Sequence, residues 1–192
     1  MLNHLLKYQK ALVILLIYSF VLLLSIQFYD WIRIAECWFV KMLLNFALLW
    51  VLVLVGFSFF QIFKYFRFPD FIYKRLKFET ESFFKLLLVP VFQKALVNSF
   101  FRHLNPRVYL KGRGREYIKV YHEETKQSGS SHMLSGAAAL AYQVVFYLDR
   151  DFLSLVFLSF FNILFNLYPL LLQRMNRFNL ERKLPNLFSV ES

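Results

Sequence analysis

The sequence contains few of the polar residues with which a water-soluble domain covers its surface. Charged side chains make up 18% of the 192 residues, against roughly 25% in an average soluble domain, and 58% of the residues are hydrophobic. A core with a polar shell cannot be built from this composition, which argues against a soluble globular domain. Disordered chains are poor in hydrophobic residues, so the composition argues against disorder as well.

Cysteine is nearly absent, since Cys37 is the single one. One thiol cannot form an intrachain disulfide, a cysteine zinc cluster or an iron–sulfur site, so nothing in the sequence requires an oxidising compartment. Several enzyme motifs are missing too: G-x-S-x-G, H-E-x-x-H and the phosphate-binding G-x-x-x-x-G-K-[ST] do not occur. We expect neither a metal nor a cofactor.

Long runs without a charged residue occur four times. They cover residues 11–29, 42–63, 132–148 and 152–173. As helices, these runs are about long enough to cross a hydrocarbon core of roughly 30 Å. The first run exceeds the roughly 7–15 residues of a signal-peptide core and no A-x-A-like site follows it, which favours an anchor over a cleaved signal. The sequence therefore predicts an all-α integral membrane protein with four transmembrane helices.

Positive charge is concentrated between the second and third predicted spans. Of the 23 Lys and Arg residues, 14 lie in residues 64–131, 2 in the N-terminal tail and 4 after residue 173. Basic loops stay inside, so both termini and this middle segment are expected in the cytoplasm, at a cell membrane. The predicted parts are a transmembrane hairpin (1–63), a cytoplasmic or interfacial segment (64–131), a second hairpin (132–173) and a basic tail (174–192).

The middle segment has the pattern of a membrane surface. Residues 64–78 interleave Lys and Arg with Phe and Tyr, which suits lipid headgroups better than the alternative, stacked nucleic acid bases. Residues 83–101 contain two short apolar stretches divided by Pro90, which predicts two interfacial helices or a lid over the bundle. Residues 117–121 either pair as a strand with residues 108–110 or start a helix that enters the third span.

Polar side chains in the last two spans share helical faces. In the fourth span and just after it, three polar residues lie within about 40° of Asn162 on the helical face: Asn166, Gln173 and Asn176. In the third, a small and polar face contains His132, Gly136, Ala139 and Gln143, with Ser135 nearby. Pro169 leaves the carbonyl of the residue four before it, Phe165, without its usual helical donor.

Counting outward from the Asp149–Asp151 turn places these faces at one depth. His132 lies 18 residues before Arg150, and Tyr168 lies 18 after it, so His132 is expected at the level of Asn166. Interhelical hydrogen bonds explain any one of these residues, whereas their convergence favours a site. Glu124 lies eight residues before His132 and meets it only if the helix breaks around Gly129.

The polar run after the fourth span resembles a known family. The segment from Asn162 to Arg177, NILFNLYPLLLQRMNR, is similar to the C-terminal N-x-(Y)P-x-x-x-QRYNR signature of glycosyl-4,4'-diaponeurosporenoate acyltransferases. Glu124-Thr125-Lys126 followed by His132 is similar to that family's E-T-[KR] and downstream His. The sequence departs from the pattern at Gly129, where the family often has an acidic residue, and at Met175, where it has Tyr.

The resemblance implies an acyltransferase that places a fatty acyl chain on a sugar hydroxyl of a glycosylated carotenoid. The expected partners are an acyl thioester donor, a lipidic glycoside acceptor and membrane lipids, without nucleic acid. His132 is the expected general base and Glu124 its orienting or charge-balancing partner. The expected substrate-binding residues are Asn162, Asn166, Gln173, Arg174, Asn176 and Arg177. The alternatives are a non-catalytic membrane scaffold and a lipid- or pigment-binding protein.

Overall fold

The computed structural model describes residues 2–62, 68–74, 76–99 and 114–188 of the chain. All regular structure in these four ranges is helical, which confirms the all-α prediction for them. The helices are α1 (Leu2–Ile34), α2 (Trp38–Ile62), α3 (Asp70–Tyr73), α4 (Glu81–Leu86), α5 (Val89–Asn98), α6 (Arg115–Leu148), α7 (Phe152–Asn162), a π-helical segment (Ile163–Leu167), α8 (Tyr168–Lys183) and α9 (Pro185–Phe188).

Three stretches are long and apolar enough to cross a membrane: Leu15–Ile34, Trp38–Ser58 and Phe152–Lys183. Large apolar side chains cover their outer surfaces, as Leu23 does with 66% of its surface exposed. Such a surface is costly in water and suits lipid. These stretches agree with three of the four predicted spans and identify a membrane protein.

The predicted third span, residues 132–148, is not among these apolar stretches. It forms the second half of α6, which begins at Arg115 and runs 34 residues without interruption. Polar residues, among them His132, Ser135 and Gln143, lower its mean hydropathy, whereas Leu140, Val144 and Leu148 are exposed on the outer face. Residues 117–121 belong to the same helix, so the strand alternative is wrong; residues 108–110 lie outside the described ranges.

The segment between the two hairpins contributes the two predicted helices. Thr80 caps the N-terminus of α4 by accepting a hydrogen bond from the Phe83 amide, and Leu88 then takes a left-handed conformation with φ 56°. Pro90 therefore lies in the first turn of α5, where its missing N–H does no harm, and it does not kink a single long helix. Phe84 and Val89 are buried together with apolar side chains of α8.

The last hydrophobic stretch contains a π-helical segment directly before Pro169. The amide of Tyr168 donates to the carbonyl of Ile163, five residues earlier. Pro169 has no N–H for the carbonyl of Phe165, so the regular ladder is interrupted at this point, as the sequence predicts. Such segments are common at functional sites, and this one precedes the polar residues of α8.

Opposite charges join the two hairpins at the end of the bundle that carries the turn between α6 and α7. Lys41 at the start of α2 lies 2.7 Å from Asp151, and both side chains are at least 85% buried. Tyr29 of α1 donates a hydrogen bond to Asp149. Nearer the N-terminus of α1, the Ser25 hydroxyl accepts a hydrogen bond from the Tyr142 hydroxyl of α6 at 2.8 Å. These contacts fix α1 and α2 against α6 and α7.

The backbones of α2 and α6 approach most closely at Gly56. A Cβ atom built on Gly56 would lie 2.5 Å from the Ser131 carbonyl oxygen and 3.2 Å from Cβ of Ser135. The first distance is too short for any real contact, and a backbone atom cannot turn aside. Glycine is therefore required here for α2 to pack beside the part of α6 that contains His132.

We predict that Gly56→Ala destabilises the protein by about 1–3 kcal/mol, because overpacking forces two backbones apart and outweighs alanine's better helix propensity. Thermal unfolding in detergent measures the effect. Gly114→Ala is the matched control, since no atom lies within 4 Å of a Cβ built on Gly114. Equal melting temperatures for the two variants would contradict the predicted close approach.

Candidate functional site

His132 lies beside Asn166, as counting from the turn predicts. The His132 Nδ1 atom is 3.5 Å from Oδ1 of Asn166, and the Ser135 hydroxyl donates to the same oxygen at 2.6 Å. Asn166 is 2% exposed and Ser135 is 1% exposed. An imidazole, a carboxamide and a hydroxyl therefore meet between α6 and the π-helical segment.

A chain of hydrogen bonds sets the direction in which Asn166 points. Asn162 donates from Nδ2 to the Gly136 carbonyl at 3.3 Å, so its Oδ1 is free to accept. Asn166 donates from Nδ2 to that oxygen at 2.9 Å. The Gly136 carbonyl can only accept, so Asn162 turns its Nδ2 group towards it and its Oδ1 towards Asn166. Asn166 in turn uses its Nδ2 group for Asn162, and its Oδ1 faces Ser135 and His132.

The polarity of this chain bears on the tautomer of the neutral His132 ring. The Asn166 oxygen only accepts, so its 3.5 Å contact with Nδ1 is a hydrogen bond in the tautomer that carries the proton on Nδ1. The lone pair of the neutral imidazole then lies on Nε2, which is the arrangement a general base needs. The ring packs edge-on against Phe57, with centroids 5.7 Å apart, and the Phe165 backbone is a further hydrogen-bonding neighbour.

Glu124 does not reach His132. The break around Gly129 that would let the two side chains meet does not occur, because α6 is continuous from Arg115 to Leu148. Eight residues of helix separate the two side chains by about 12 Å along the axis. Asn166, and not Glu124, is therefore the neighbour that orients the imidazole.

The Arg174 guanidinium is occupied by protein groups. It forms an ion pair with both carboxylate oxygens of Glu79 and donates to the carbonyls of Ile72 and Lys74. Glu79 is 4% exposed. Arg174 thus holds the segment between α3 and α4 on α8. The sequence offers no pattern that pairs Glu79 with Arg174.

Asn176 also contacts protein groups. Its Nδ2 donates to the Tyr121 hydroxyl at 3.1 Å, and its Oδ1 accepts from Gln93 at 3.3 Å. Burial raises the pKa of Tyr121 to about 12, so this phenol stays protonated at physiological pH. Asn176 therefore joins α5, α6 and α8.

Arg177 is buried and only partly satisfied. It is 4% exposed, and its Nη1 donates to the Thr125 carbonyl at 2.9 Å. Its guanidinium lies 5.8 Å from the centroid of the Tyr73 ring, and Lys126 lies 6.0 Å from the same centroid. Among the described residues no carboxylate comes within ion-pair distance of Arg177.

Gln173 and Arg177 flank Gly129 of α6. A Cβ atom built on Gly129 would lie 3.6 Å from Nη1 of Arg177 and 3.8 Å from Cβ of Gln173. Gln173 is half-buried, and within the described part of the chain its amide has no hydrogen-bond partner. Gly129 lies three residues before His132 on α6, so Gln173 packs against the helical turn next to His132.

Among the described residues, no three His, Cys, Asp or Glu side chains lie close enough together to hold a metal ion.

The structure brings two residues to the site region that the sequence did not single out. They are Tyr73, whose hydroxyl contacts Ser130 at 2.7 Å, and Glu79. Both lie in the basic segment, where only the tertiary structure shows their partners.

We predict that Glu79→Gln lowers the free energy of unfolding by roughly 3–5 kcal/mol, because it leaves a buried Arg174 without its counter-ion. Glu81→Gln is the control: Glu81 pairs with Lys85 and Arg182 at the surface, and these pairs lower its pKa to about 2. Chemical unfolding in detergent compares the two variants. Equal stability would show that the Glu79–Arg174 pair does not hold this segment.

A family model described as glycosyl-4,4'-diaponeurosporenoate acyltransferase matches residues 69–186. The match covers more than half of the chain and includes the polar residues of α6, the π-helical segment and α8. No curated protein and no solved structure matches the chain. The match extends upstream to the segment that carries Tyr73 and Glu79. The chain therefore belongs to the glycosyl-4,4'-diaponeurosporenoate acyltransferase family.

Proposed function

We propose that the protein moves a fatty acyl chain from an acyl thioester to a hydroxyl of a glycosylated lipid or carotenoid. Family membership supports the reaction class. The single observation that supports the catalytic group is the hydrogen-bonded chain from the Gly136 carbonyl through Asn162 and Asn166 to His132. Our proposed general base is Nε2 of His132.

The proposed reaction needs only this base and two substrates. Nε2 takes the proton of the sugar hydroxyl while the sugar oxygen attacks the thioester carbonyl carbon. The tetrahedral intermediate then collapses, the carbon–sulfur bond breaks, and the imidazolium returns its proton to the leaving thiolate. The products are an O-acyl glycoside and a free thiol, and His132 ends in its starting state.

The other polar residues take different parts in this proposal. Asn166 and Asn162 hold the imidazole in position, because their amides are already bound to protein groups. Gln173 has unused donors close to His132 and is the proposed ligand of the sugar or of the developing oxyanion. Arg174 and Asn176 keep the amphipathic helices on α8 and do not contact the substrate.

We propose that the chain crosses the membrane four times and that residues 132–148 of α6 form the third span, one face of which is covered by the other helices. A span that is enclosed by other helices on one side does not need apolar residues on that side. Its exposed side chains support this, because Leu140, Val144 and Leu148 are each more than half exposed on the opposite face. The 14 basic residues of the middle segment then favour a cytoplasmic position for both termini.

The non-catalytic alternative rests on one observation. The amides of Asn162 and Asn166 bond to each other, to Ser135 and to a carbonyl, which is also what interhelical hydrogen bonds do in a structural bundle. A scaffold and an enzyme differ in what happens when His132 loses its basicity, and this difference is testable.

We predict that His132→Gln lowers acyl transfer by roughly 10²–10⁴-fold in protein that remains folded, since glutamine forms hydrogen bonds but cannot take up a proton. Product mass in lipid extracts from cells with and without the variant measures the loss. Circular dichroism and gel filtration establish that the protein is folded. Full activity in folded His132→Gln protein would remove the catalytic assignment and leave the scaffold.

We predict that Asn166→Leu lowers activity by at least tenfold, because Nδ1 of His132 loses its acceptor. Asn45→Leu is the matched control: Asn45 is also a buried asparagine in a predicted span, and its Nδ2 bonds only to the Lys41 carbonyl. Asn166→Leu also deprives Asn162 and Ser135 of a hydrogen-bond partner, so we expect it to destabilise the protein more than Asn45→Leu does, and activity is compared per amount of folded protein. A scaffold predicts unchanged product in both variants, and an enzyme predicts a loss for Asn166→Leu alone.

We predict that reporters inserted near Gly112 and fused after Ser192 both read cytoplasmic, because moving the middle segment outward would translocate 14 basic residues. Paired alkaline phosphatase and fluorescent protein fusions measure this. An external signal at Gly112 would overturn the four-span topology.

A further inference from the structure

Three consecutive leucines are exposed where α4 ends and α5 begins. Leu86 is 80% exposed, Leu87 36% and Leu88 57%, whereas Phe84 before them and Val89 after them are buried. We name Leu86–Leu88 the leucine tip. A contiguous patch of large apolar side chains is costly in water, and such patches mark contacts with lipid or with another protein. The leucine tip therefore indicates a contact surface.

The backbone of the leucine tip holds these side chains outward at a cost. Leu88 has a left-handed conformation, with φ 56° and ψ 21°, which is unfavourable for residues with a Cβ and for which glycine is the usual residue. Leu88 caps α5 directly after the end of α4, and Phe84 and Val89 on its two sides both pack inward. Contacts within the protein do not explain a leucine at this position, because its side chain is more than half exposed.

The apolar surface continues beyond the leucine tip on both sides in the chain. Phe78 is exposed, and its ring packs on Phe83 with centroids 5.2 Å apart. Leu86 and Leu87 follow Phe83 by three and four residues, so they share its face of α4. Val91, in the first turn of α5, is 61% exposed. Exposed apolar side chains thus extend from Phe78 to Val91.

The depth of the leucine tip follows from the helix on which this segment packs. The last apolar stretch begins at Phe152, and roughly 20 residues of helix cross a hydrocarbon core of about 30 Å, so the core ends near Leu172. Leu172 belongs to the apolar cluster that buries Phe84 and Val89. Because the leucine tip lies between these two residues in the chain, it lies close to the edge of the hydrocarbon core.

Positive charge accompanies this apolar surface. Four lysines of the same segment are exposed: Lys74, Lys77, Lys85 and Lys94. Lysine stems lie along apolar surface while their ammonium groups reach the polar layer, where anionic headgroups attract them. Leucines at the edge of the core with lysines around them match a phospholipid leaflet in both polarity and depth. An acidic protein would match the lysines, but a protein partner does not require this depth.

We infer that the leucine tip inserts into the lipid leaflet beside α8, with its leucines among the acyl chains and the lysines at the phosphate groups. The sequence predicts helices that lie along the membrane surface. The inference assigns the insertion to the turn between them, because Phe84 and Val89 of these helices are buried with side chains of α8. The proposed topology makes this the cytoplasmic leaflet, whereas insertion itself does not depend on acyl transfer.

The experiment places a fluorophore at the leucine tip and measures which solvent reaches it. Full-length protein with Cys37→Ser, which removes the one exposed thiol, carries Leu87→Cys labelled with an environment-sensitive NBD group. The protein is reconstituted in lipid nanodiscs of phosphatidylcholine and phosphatidylglycerol. Doxyl-labelled lipid quenches the NBD group from within the leaflet, and iodide quenches it from water. Lys183→Cys is the matched control, because exposed Lys183 ends α8 about 16 Å of helix rise beyond Leu172.

We expect doxyl-labelled lipid to remove most of the NBD emission at position 87 while iodide leaves it unchanged, and the reverse at position 183. Val91→Cys provides a second label position with the same expected result if Leu87→Cys does not fold. Iodide quenching at least as strong as doxyl quenching would place the tip in water. Protection from both quenchers would show that protein covers it, as in contact with a second copy of the chain. Either result overturns the inference.

The same measurement separates this inference from the proposed reaction. His132→Gln lies outside the leucine tip, so its quenching pattern should equal that of the wild type even when acyl transfer is lost. A failed general base therefore appears in turnover, and a failed insertion appears in quenching.

Discussion

The structure depends on how closely three elements approach α6: α2, the end of α7 with its π-helical segment, and α8. Inside a bilayer no water is available to polar groups, so each needs a partner within the protein. Partners can meet only where backbones come close, and α6 and its neighbour α2 have glycine at these points: Gly56, Gly129 and Gly136. The hydrogen bonds of Asn162, Asn166 and Ser135 follow from that approach, and so does the position of the His132 ring.

Local geometry explains what the sequence predicts correctly. Helices repeat at a fixed angle and rise, so the lengths of uncharged runs predict the long helices, and counting from the turn at Arg150 places His132 beside Asn166. Pro169 predicts an interrupted hydrogen-bond ladder for the same reason, because its effect reaches only four residues back. These predictions needed no knowledge of which helix packs on which.

Tertiary pairing explains what the sequence does not show. Nothing near Glu79 in the chain indicates Arg174, which follows 95 residues later. The sequence left open whether the helix breaks around Gly129, and the structure shows that α6 continues through this glycine, which packs against α8. By composition alone, residues 132–148 are less apolar than the other predicted spans. The structure gives the reason, because the polar face of this part of α6 packs against other helices. The same pairing shows that Arg174 has a carboxylate partner, whereas no carboxylate of the described residues lies within ion-pair distance of Arg177.

The Glu79–Arg174 contact has a consequence for the order of assembly during synthesis. Glu79 emerges from the ribosome long before Arg174, and it cannot bury its charge until the last hydrophobic stretch has been inserted. Until then α4 and α5 lack the α8 surface on which Phe84 and Val89 pack. Therefore α4 and α5 can pack in place only after α8 has been made, and a chain truncated before α8 retains the basic segment without the helix that holds it in place.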